Sequence, residues 1–368
     1  MPVAVVPDYR GACLTGIVPG LVLAPPGRRP DWFPAPVQEA ARTVLLVLDG
    51  FGWNQLRDHA QLVPTLSAMA GGPITSVAPT TTATALTSLC TGATPLEHGI
   101  VGYRIDMGDT VMNSLRWGDG RKDLRLQHRP SDVQPVVPFC GSDVTVVARA
   151  EHASTGFTEA HQRGAHYRGW RSPSSIAVDV RRALDEGATL VYAYYDGIDT
   201  TAHLHGFGEH YDAEVRYADS LAATILDCLP HDVCLAIVSD HGQVHTGEAL
   251  IDLDSEILRL VAHQSGEGRF RWLHARPGQA EALLQKCQRY TEFAWVKSRA
   301  EILRDGWLGH VVGHHSEASS RRLGDVALLP FGPQSFEDPA EGSTAHLVCR
   351  HGSLTPDEVL VPFVATRA

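Results

Sequence analysis

The chain has 368 residues, of which 43% are hydrophobic and 20% charged, with a formal net charge of −11. This length allows either two domains or one large domain with an insertion. The negative charge argues against a nucleic-acid polymer as partner, and the lack of an apolar run of about 20 residues excludes a membrane-spanning segment.

The first 42 residues are rich in proline and glycine, and we interpret them as an extended arm that packs on the body. Residues 43–50 (TVLLVLDG) follow as a continuous apolar run that ends in Asp-Gly, which is typical of a buried parallel strand. A helical segment is expected over 63–70.

Two later apolar runs, over 189–197 and 232–242, have the same character. Each is preceded by a segment with helical spacing, over 174–187 and 211–229. Strands that alternate with helices predict an α/β fold, in which a mainly parallel sheet carries helices on both faces.

Residues 253–312 follow a different pattern, with two strand-like and two helix-like segments in alternation. We expect them to form a small α+β cap inserted into a core made of residues 1–252 and 313–368. Strands over 323–332 and 358–365 are expected to return to the core sheet.

Charged side chains follow the predicted strands at their carboxyl ends, where ligands collect in parallel sheets. Asp49 ends the first strand, Asp240 and His241 end another, and Asp199 lies just past a third. Asp199 and His203 are four residues apart, so they share one face of a helix. Carboxylate and imidazole together suit zinc.

Three neighbouring assignments stay open at this point. Asp196 and His205 compete with Asp199 and His203 for the role of ligand, and the segment also reads as a salt-bridged helix start. Asp49 alone fits a helix cap equally well. His351, in RHGSL (350–354), is a weak candidate by itself.

The segment PTTTATALTSLCTG (79–92) places three hydroxyl residues before a short apolar helix. Threonine is a common helix cap, which is the simpler interpretation. The alternative is a nucleophile at a helix N-terminus, where backbone N–H groups favour a phosphoryl group. A bound metal ion can activate such a hydroxyl at neutral pH.

Five segments in this order resemble the alkaline phosphatase superfamily, and most closely its type I phosphodiesterase/nucleotide pyrophosphatase branch. They are VLDGFG (47–52), APTTTATALTSLCTGATPLEHGIVGY (78–103), DGIDTTAHLHG (196–206), IVSDHG (237–242) and RHGSL (350–354). The resemblance covers roughly residues 43–250 and 315–365. It implies an alkaline phosphatase-like fold and a metal-dependent hydrolase of small phosphate esters.

The resemblance also implies roles for single residues. Thr82 is the nucleophile and forms a phospho-threonine intermediate. Two divalent ions, zinc in the first place and manganese as the alternative, act with it. The ligands are Asp49, Thr82, Asp240 and His241 for one ion, and Asp199, His203 and His351 for the other.

Three further predictions, of substrate contacts, rest on residue type alone. Tyr103, Trp117 and Tyr195 are candidates to line a substrate pocket, although such aromatic residues are more often part of a core. A phosphomonoesterase or a phosphonoacetate-type hydrolase remains an alternative on the same site, and a non-catalytic binding protein is a further one.

The seven cysteines are scattered and odd in number, without a CxxC pair, which argues against a disulfide framework. Asp8 and Arg10 interrupt the N-terminal apolar stretch, so we expect no signal peptide. Both features predict a cytoplasmic protein. The oligomeric state is not readable from the sequence.

Overall fold

The structure is a computed structural model that describes residues 2–341 and 347–367. The strands are β1 (Arg42–Leu48), β2 (Ala70–Thr75), β3 (Arg104–Asp106), β4 (Val111–Asn113), β5 (Thr145–Arg149), β6 (His166–Trp170), β7 (Leu190–Tyr195), β8 (Val233–Val238), β9 (Val244–His245), β10 (Leu250–Ile251), β11 (Val261–Glu267), β12 (Phe270–Ala275), β13 (Ala294–Ser298), β14 (Val326–Pro330), β15 (Ser335–Phe336), β16 (Cys349–Arg350) and β17 (Leu360–Arg367).

The helices are α1 (Ile17–Val22), α2 (Ala35–Gln38), α3 (Trp53–Asp58), α4 (Pro64–Ser67), α5 (Thr82–Thr91), α6 (Pro95–His98), α7 (Pro130–Val133), α8 (Gly156–Gln162), α9 (Ile176–Asp185), α10 (Gly197–His205), α11 (Glu209–Cys228), α12 (Ser255–Leu258), α13 (Ala280–Cys287), α14 (Arg299–Arg304), α15 (Gly313–Ser320) and α16 (Pro356–Val359). Short 3₁₀ helices lie at Leu14–Gly16, Ala60–Leu62, Pro138–Gly141, Ala150–His152, Pro173–Ser175, Gln288–Tyr290 and Pro339–Glu341.

Seven strands form the central sheet in the order β2–β17–β8–β1–β7–β5–β6. β1 pairs in parallel with β7 and β8, and β5 pairs in parallel with β7 and β6. β17 runs antiparallel to both of its neighbours, β8 and β2. The predicted α/β fold with a mainly parallel sheet is confirmed.

Side chains of the central strand β1 alternate between two buried cores, as strand geometry requires. Leu45 and Val47 pack with residues of α5 on one face, whereas Leu46 and Leu48 pack with residues of α9 and α11 on the other. Each such side chain contributes about 1.5–3 kcal/mol when fully buried. A sheet covered on both faces therefore explains the uninterrupted apolar run in its sequence.

The carboxyl ends of β1, β7 and β8 lie side by side in the sheet. Leu48 is paired with Tyr195, and Val47 with Val238. Residues that directly follow these strands therefore come together at one edge, which brings Asp49 close to Asp240 and to the start of α10.

A second sheet, in the order β11–β12–β14–β13, is antiparallel. One of its faces packs on α13 through Leu273 and Leu283, and the other shares the main core through Phe270 and Trp272. The expectation that residues 323–332 return to the core sheet is wrong, because β14 lies in this small sheet. The sequence of an apolar strand does not indicate which sheet the strand joins. The proposed cap boundaries stay a prediction.

The expectation of an extended N-terminal arm is also wrong in part, because α1 and α2 are helical. Leu14, Ile17 and Val18 are buried in the main core, so this segment contributes to the body itself. No helix within residues 2–341 and 347–367 has the length and apolar character to cross a membrane.

Candidate metal and phosphate site

Thr82 is the first residue of α5 and lines a cleft at the carboxyl edge of the central sheet. Its Oγ1 lies 3.1 Å from Nε2 of His241. The first turn of a helix has backbone N–H groups without intrahelical partners, and their positive dipole end favours an anion. A phosphoryl group at the Thr82 hydroxyl would meet this end of α5.

The two other hydroxyl residues of this segment have different surroundings. The Thr80 side chain is fully buried and donates to the carbonyl oxygen of Ser353 at 2.8 Å. Thr81 occupies the N-cap position of α5 without a side-chain capping hydrogen bond to the described residues, is buried and also borders the cleft. Thr82 is the one of the three that is partly exposed and contacts the histidine cluster.

Asp49, Asp240 and His241 form the first group of potential ligands, and all three are buried. His241 Nε2 lies 3.5 Å from Asp49 Oδ1 and 3.4 Å from Asp240 Oδ2. Both of these carboxylate oxygens are buried and have no hydrogen-bond partner within residues 2–341 and 347–367. Unpaired buried acceptors that converge on one point are costly unless a cation lies between them.

Asp199, His203 and His351 form the second group. Asp199 Oδ1 lies 3.3 Å from His203 Nε2 and 3.8 Å from His351 Nε2. The rings of His351 and His241 stack with centroids 3.6 Å apart, which joins the two groups into one cluster. The structure thus brings all seven residues predicted as metal ligands to one place.

Each of the three histidines uses its other ring nitrogen to contact a backbone carbonyl. His203 Nδ1 lies 2.7 Å from the oxygen of Cys349, His241 Nδ1 3.1 Å from that of Gly242, and His351 Nδ1 2.8 Å from that of Thr80. A carbonyl oxygen only accepts, so every Nδ1 carries the proton. Each Nε2 therefore points into the cluster and is the ring atom available to a metal ion, as in metal-binding histidines.

The electrostatics of the cluster also call for positive charge. Burial raises the pKa of Asp49 well above its usual range, and the Asp240 and Asp199 carboxylates raise it further. Burial likewise raises the pKa values of Asp199 and Asp240. Burial lowers the pKa of His241 and of His351, which keeps both rings neutral. This set of imidazole and carboxylate donors fits divalent cations such as zinc.

The competing assignments are resolved by the neighbours of each residue. The Asp196 carboxylate accepts from Nε of Arg149 at 2.7 Å and 2.9 Å, so its charge is already paired. His205 is exposed and stacks on His210, with ring centroids 4.1 Å apart. Neither takes part in the cluster formed by the predicted ligands.

Two residues that support the ligands were missed in the sequence. The Tyr194 hydroxyl donates to Asp49 Oδ2, and Gln243 Nε2 donates to Asp199 Oδ1 at 2.8 Å. Tyr194 lies near the end of β7, and Gln243 follows the His241-Gly242 turn. The position of both residues close to the end of a strand could have marked them as candidates for the site. Tyrosine and glutamine are too common, however, for residue type to single them out in the sequence.

The cleft over the cluster has a volume of about 780 Å³ and is bordered by acidic and basic side chains. Tyr103 borders it, in the place predicted for a substrate contact. Arg350 also borders it, with a buried Nε that has no hydrogen-bond partner among the described residues. Further cleft residues are Arg104, Arg116, Glu267, Asp338 and Leu347.

The structure places two predicted substrate contacts elsewhere. The Trp117 side chain is fully buried, and its indole N–H donates to the carbonyl of His128 at 2.7 Å. Tyr195 is also buried, and its hydroxyl donates to Glu214. Neither borders the cleft, so both are corrected to core residues. A tryptophan or tyrosine in a sequence does not reveal which face it occupies.

The tip of the β11–β12 hairpin closes one side of the cleft. Glu267 Oε2 accepts from the backbone N–H of Tyr103 at 2.9 Å, while its Oε1 is buried and has no hydrogen-bond partner in the part of the chain that the structure describes. Burial raises the pKa of Glu267 to about 8. The small sheet therefore faces the candidate site, an orientation that the sequence left undetermined.

Comparison with known proteins identifies the family and relatives of similar fold. A sequence model of the family described as type I phosphodiesterase/nucleotide pyrophosphatase matches residues 43–353. No curated protein matches the chain significantly.

Solved structures with a similar fold include murine ectonucleotide pyrophosphatase/phosphodiesterase 5, at 17% identity and a TM-score of 0.63, over 88% of this chain and 87% of that one. Its inactive threonine-to-alanine variant in complex with AMP has 17% identity and a TM-score of 0.62, with the same coverage. Phosphonoacetate hydrolase from Sinorhizobium meliloti 1021, in complex with phosphonoformate, has 17% identity and a TM-score of 0.63, over 93% and 92% of the two chains.

Proposed function

Because the chain belongs to the type I phosphodiesterase/nucleotide pyrophosphatase family, a family of phosphoric ester hydrolases, we propose that it hydrolyses small phosphodiesters with Thr82 as nucleophile. Two divalent ions would assist, zinc in the first place and manganese as the alternative. Asp49, Asp240 and His241 would hold one ion beside Thr82. The other would be held by Asp199, His203 and His351.

The observation that carries this proposal is the position of the Thr82 hydroxyl. It lies 3.1 Å from Nε2 of His241, at the N-terminus of α5 and beside two buried carboxylate oxygens that have no hydrogen-bond partner among the described residues. A threonine that served only to cap a helix would not require a histidine and two carboxylate oxygens beside its hydroxyl.

The first chemical step forms a bond between Thr82 Oγ1 and phosphorus and breaks the bond to the leaving alcohol. The electron pair goes to the leaving oxygen, and the hydroxyl proton is released to solvent, from which the alcohol is protonated. When bound, the metal ions supply positive charge for the phosphoryl oxygens and lower the pKa of the nucleophile. The N–H groups that open α5 would face the phosphoryl group.

The second step regenerates the enzyme. A water oxygen attacks phosphorus, the bond between phosphorus and Thr82 Oγ1 breaks, and a proton from the water returns to the threonine. The balance is one diester and one water in, one monoester and one alcohol out. Tyr194 and Gln243 orient the carboxylates of Asp49 and Asp199 throughout.

The relatives support a threonine in this role. The murine protein was captured with AMP as an inactive threonine-to-alanine variant. The cleft of about 780 Å³ has room for a group on each side of the phosphorus. From these points we infer that the substrate of this chain is a nucleotide-like or other small phosphodiester.

A second candidate is a phosphonate with a carboxylate group, the substrate class named for the Sinorhizobium hydrolase. Arg116 and Arg350 border the cleft, and Nε of Arg350 has no hydrogen-bond partner among the residues that the structure describes. A guanidinium suits a carboxylate as well as it suits a phosphate. Phosphomonoesters form a third class that the same two-step chemistry accepts.

The test compares the chain with Thr82→Ala on bis-p-nitrophenyl phosphate, p-nitrophenyl phosphate and phosphonoacetate, each with zinc and with manganese. We expect the highest kcat/KM on the diester and loss of activity in the variant. Thr84→Val is the matched control, because the buried Thr84 hydroxyl has no hydrogen-bond partner among the described residues. Full diesterase activity in Thr82→Ala would rule out the proposed nucleophile.

A further inference from the structure

Three potential ligands lie together on the small sheet, apart from the Thr82 cluster. His263 on β11 and His274 on β12 are paired directly across the two strands, so their side chains project from the same face. Asp106, the last residue of β3, reaches this face from the β3–β4 hairpin. The ligand atoms of the three lie within 4.8 Å of one another.

One carboxylate oxygen is shared by the two rings. Asp106 Oδ2 lies 3.2 Å from His263 Nε2 and 3.2 Å from His274 Nδ1. Ligands about 2.0–2.2 Å from a tetrahedral zinc ion are separated from each other by about 3.3–3.5 Å. A small movement therefore makes room for an ion at the centre of the three atoms.

The atoms that face away from this centre have partners of their own. His274 Nε2 lies 2.8 Å from the Ser265 hydroxyl, and Asp106 Oδ1 accepts from the backbone N–H of Gly108 at 2.8 Å. Such contacts orient the side chains of metal ligands. The two imidazole rings stack with centroids 4.1 Å apart and turn their polar edges towards the same oxygen.

The charge of the group also suits a cation. Burial and the neighbouring His263 ring lower the pKa of His274 to about 4, so at neutral pH this ring is uncharged. Arg299 and Asp325, the charges beyond the group that act on His274, form an ion pair with each other. The Asp106 carboxylate is left with imidazole partners alone among the ion pairs of the described residues.

We propose that Asp106, His263 and His274 bind a divalent transition-metal ion, with zinc as the best match, at a site separate from the Thr82 cluster. Two imidazoles and one carboxylate are a common zinc ligand set. The His263 side chain is 41% exposed, so solvent can reach a fourth position. The site needs neither the proposed nucleophile nor its ions.

The position of this site gives it a consequence for the cleft. Arg104, Val111 and Asn113 of the β3–β4 hairpin border the cleft, and Asp106 lies on the same hairpin. An ion held by Asp106 and the two histidines of the small sheet would fasten that cleft wall to the sheet. It would act with the hydrogen bond between Tyr103 and Glu267 at the start of the hairpin.

The experiment counts metal ions per chain. The purified protein is stripped with a chelator, reloaded with excess zinc, passed over a gel-filtration column and measured by elemental mass spectrometry. We expect His263→Ala to retain one zinc fewer than the unmodified chain. His166→Ala is the matched control, because His166 forms a comparable pair with Asp143, at 3.0 Å, outside the metal-binding groups. It should retain the full amount.

A second variant gives a spectroscopic signature that a merely structural histidine would not produce. His263→Cys loaded with cobalt should show a thiolate-to-cobalt charge-transfer band and regain the lost equivalent of metal. An unchanged zinc count in His263→Ala, or no such band in His263→Cys, would overturn the proposal. Loss of metal at the Thr82 cluster gives a different result from loss at this site. Asp240→Asn combined with His263→Cys should lose metal at the Thr82 cluster and keep the thiolate-to-cobalt band.

Discussion

The Nδ1 atom of His351 donates to the backbone oxygen of Thr80 at 2.8 Å, which ties the last predicted metal ligand to the segment before Thr82. Two hydrogen bonds of the Thr80 hydroxyl also tie this segment to the residues that follow His351. The Thr80 hydroxyl donates to Ser353 O at 2.8 Å and accepts from Gly352 N at 3.0 Å. Thr80 therefore sets the position of His351 relative to the proposed nucleophile.

Thr80→Val should lower kcat and weaken metal binding while the fold is kept. Valine fills the same volume, but it leaves the Gly352 N–H and the Ser353 carbonyl unpaired at a fully buried position. Each unpaired group costs about 1–3 kcal/mol, and the loop that carries His351 is expected to shift in response. Zinc titration and steady-state kinetics measure the two effects.

The control for this prediction is Thr80→Ser, which keeps the hydroxyl and should recover most of the activity. Thr84→Val, one turn further along α5, removes a hydroxyl without a partner among the described residues and should leave both quantities unchanged. Equal kinetics for Thr80→Val and the unmodified chain would show that these contacts do not position the site.

Asp240→Asn should have opposite effects on stability with and without metal. Without metal, the carboxylates of Asp49, Asp199 and Asp240 repel one another, so removal of one charge raises the melting temperature. With zinc present, the variant loses ligand charge and gains less from binding. Thermal unfolding in chelator and in zinc tests this. A variant that is stabilised by zinc as strongly as the unmodified chain would contradict the role of Asp240.

Glu267 should make the protein less stable as the pH rises from about 5 to 8. The unfolded chain releases this proton near the ordinary pKa of 4.5, whereas the folded chain keeps it up to about 8. Between these values the unfolded state binds fewer protons, so the free energy of unfolding falls with pH. In urea unfolding, the advantage of Glu267→Gln over the unmodified chain should grow by up to about 1.4 kcal/mol per pH unit. A constant difference would disprove the raised pKa.

Arg269→Met should destabilise the protein by about 3–5 kcal/mol, because it leaves the buried Glu358 carboxylate without its cation. The two side chains are fully buried and joined by two hydrogen bonds, of 2.7 Å and 2.8 Å. Combining this change with Glu358→Gln should recover part of the loss. Urea unfolding of Arg269→Met and of the double variant measures the coupling between the two side chains. A double variant whose loss of stability is the sum of the separate losses would contradict this coupling.

The sequence alone pointed to Asp49, Asp240 and His241 because they lie at the ends of apolar strands. β1, β7 and β8 are buried on both faces, so their apolar runs are continuous and their ends are easy to find. Asp49 and Asp240 can be located in the sequence from those strand ends. His351 was a weak candidate until the family resemblance was considered, since it follows a two-residue strand, β16, with no apolar run.

Other parts of the fold depend on long-range pairing that short sequence patterns do not record. β2 holds two glycines and a proline and is partly exposed, yet it pairs with β17 at the sheet edge. The His263–His274 pair had a usable signal, because both residues are equally distant from the turn between Glu267 and Phe270. That symmetry is informative only once the hairpin is known.

The most direct test of the central claim is to trap the phosphoryl group on Thr82. The zinc-loaded enzyme is mixed with bis-p-nitrophenyl phosphate, quenched in acid within one turnover, digested, and analysed by mass spectrometry for the peptide that contains residues 79–92. We predict a p-nitrophenyl phosphoryl adduct on Thr82, which still carries the second p-nitrophenyl group, that appears with the first p-nitrophenol and is absent from Thr82→Ala. Turnover with the adduct absent or on another residue would contradict the account.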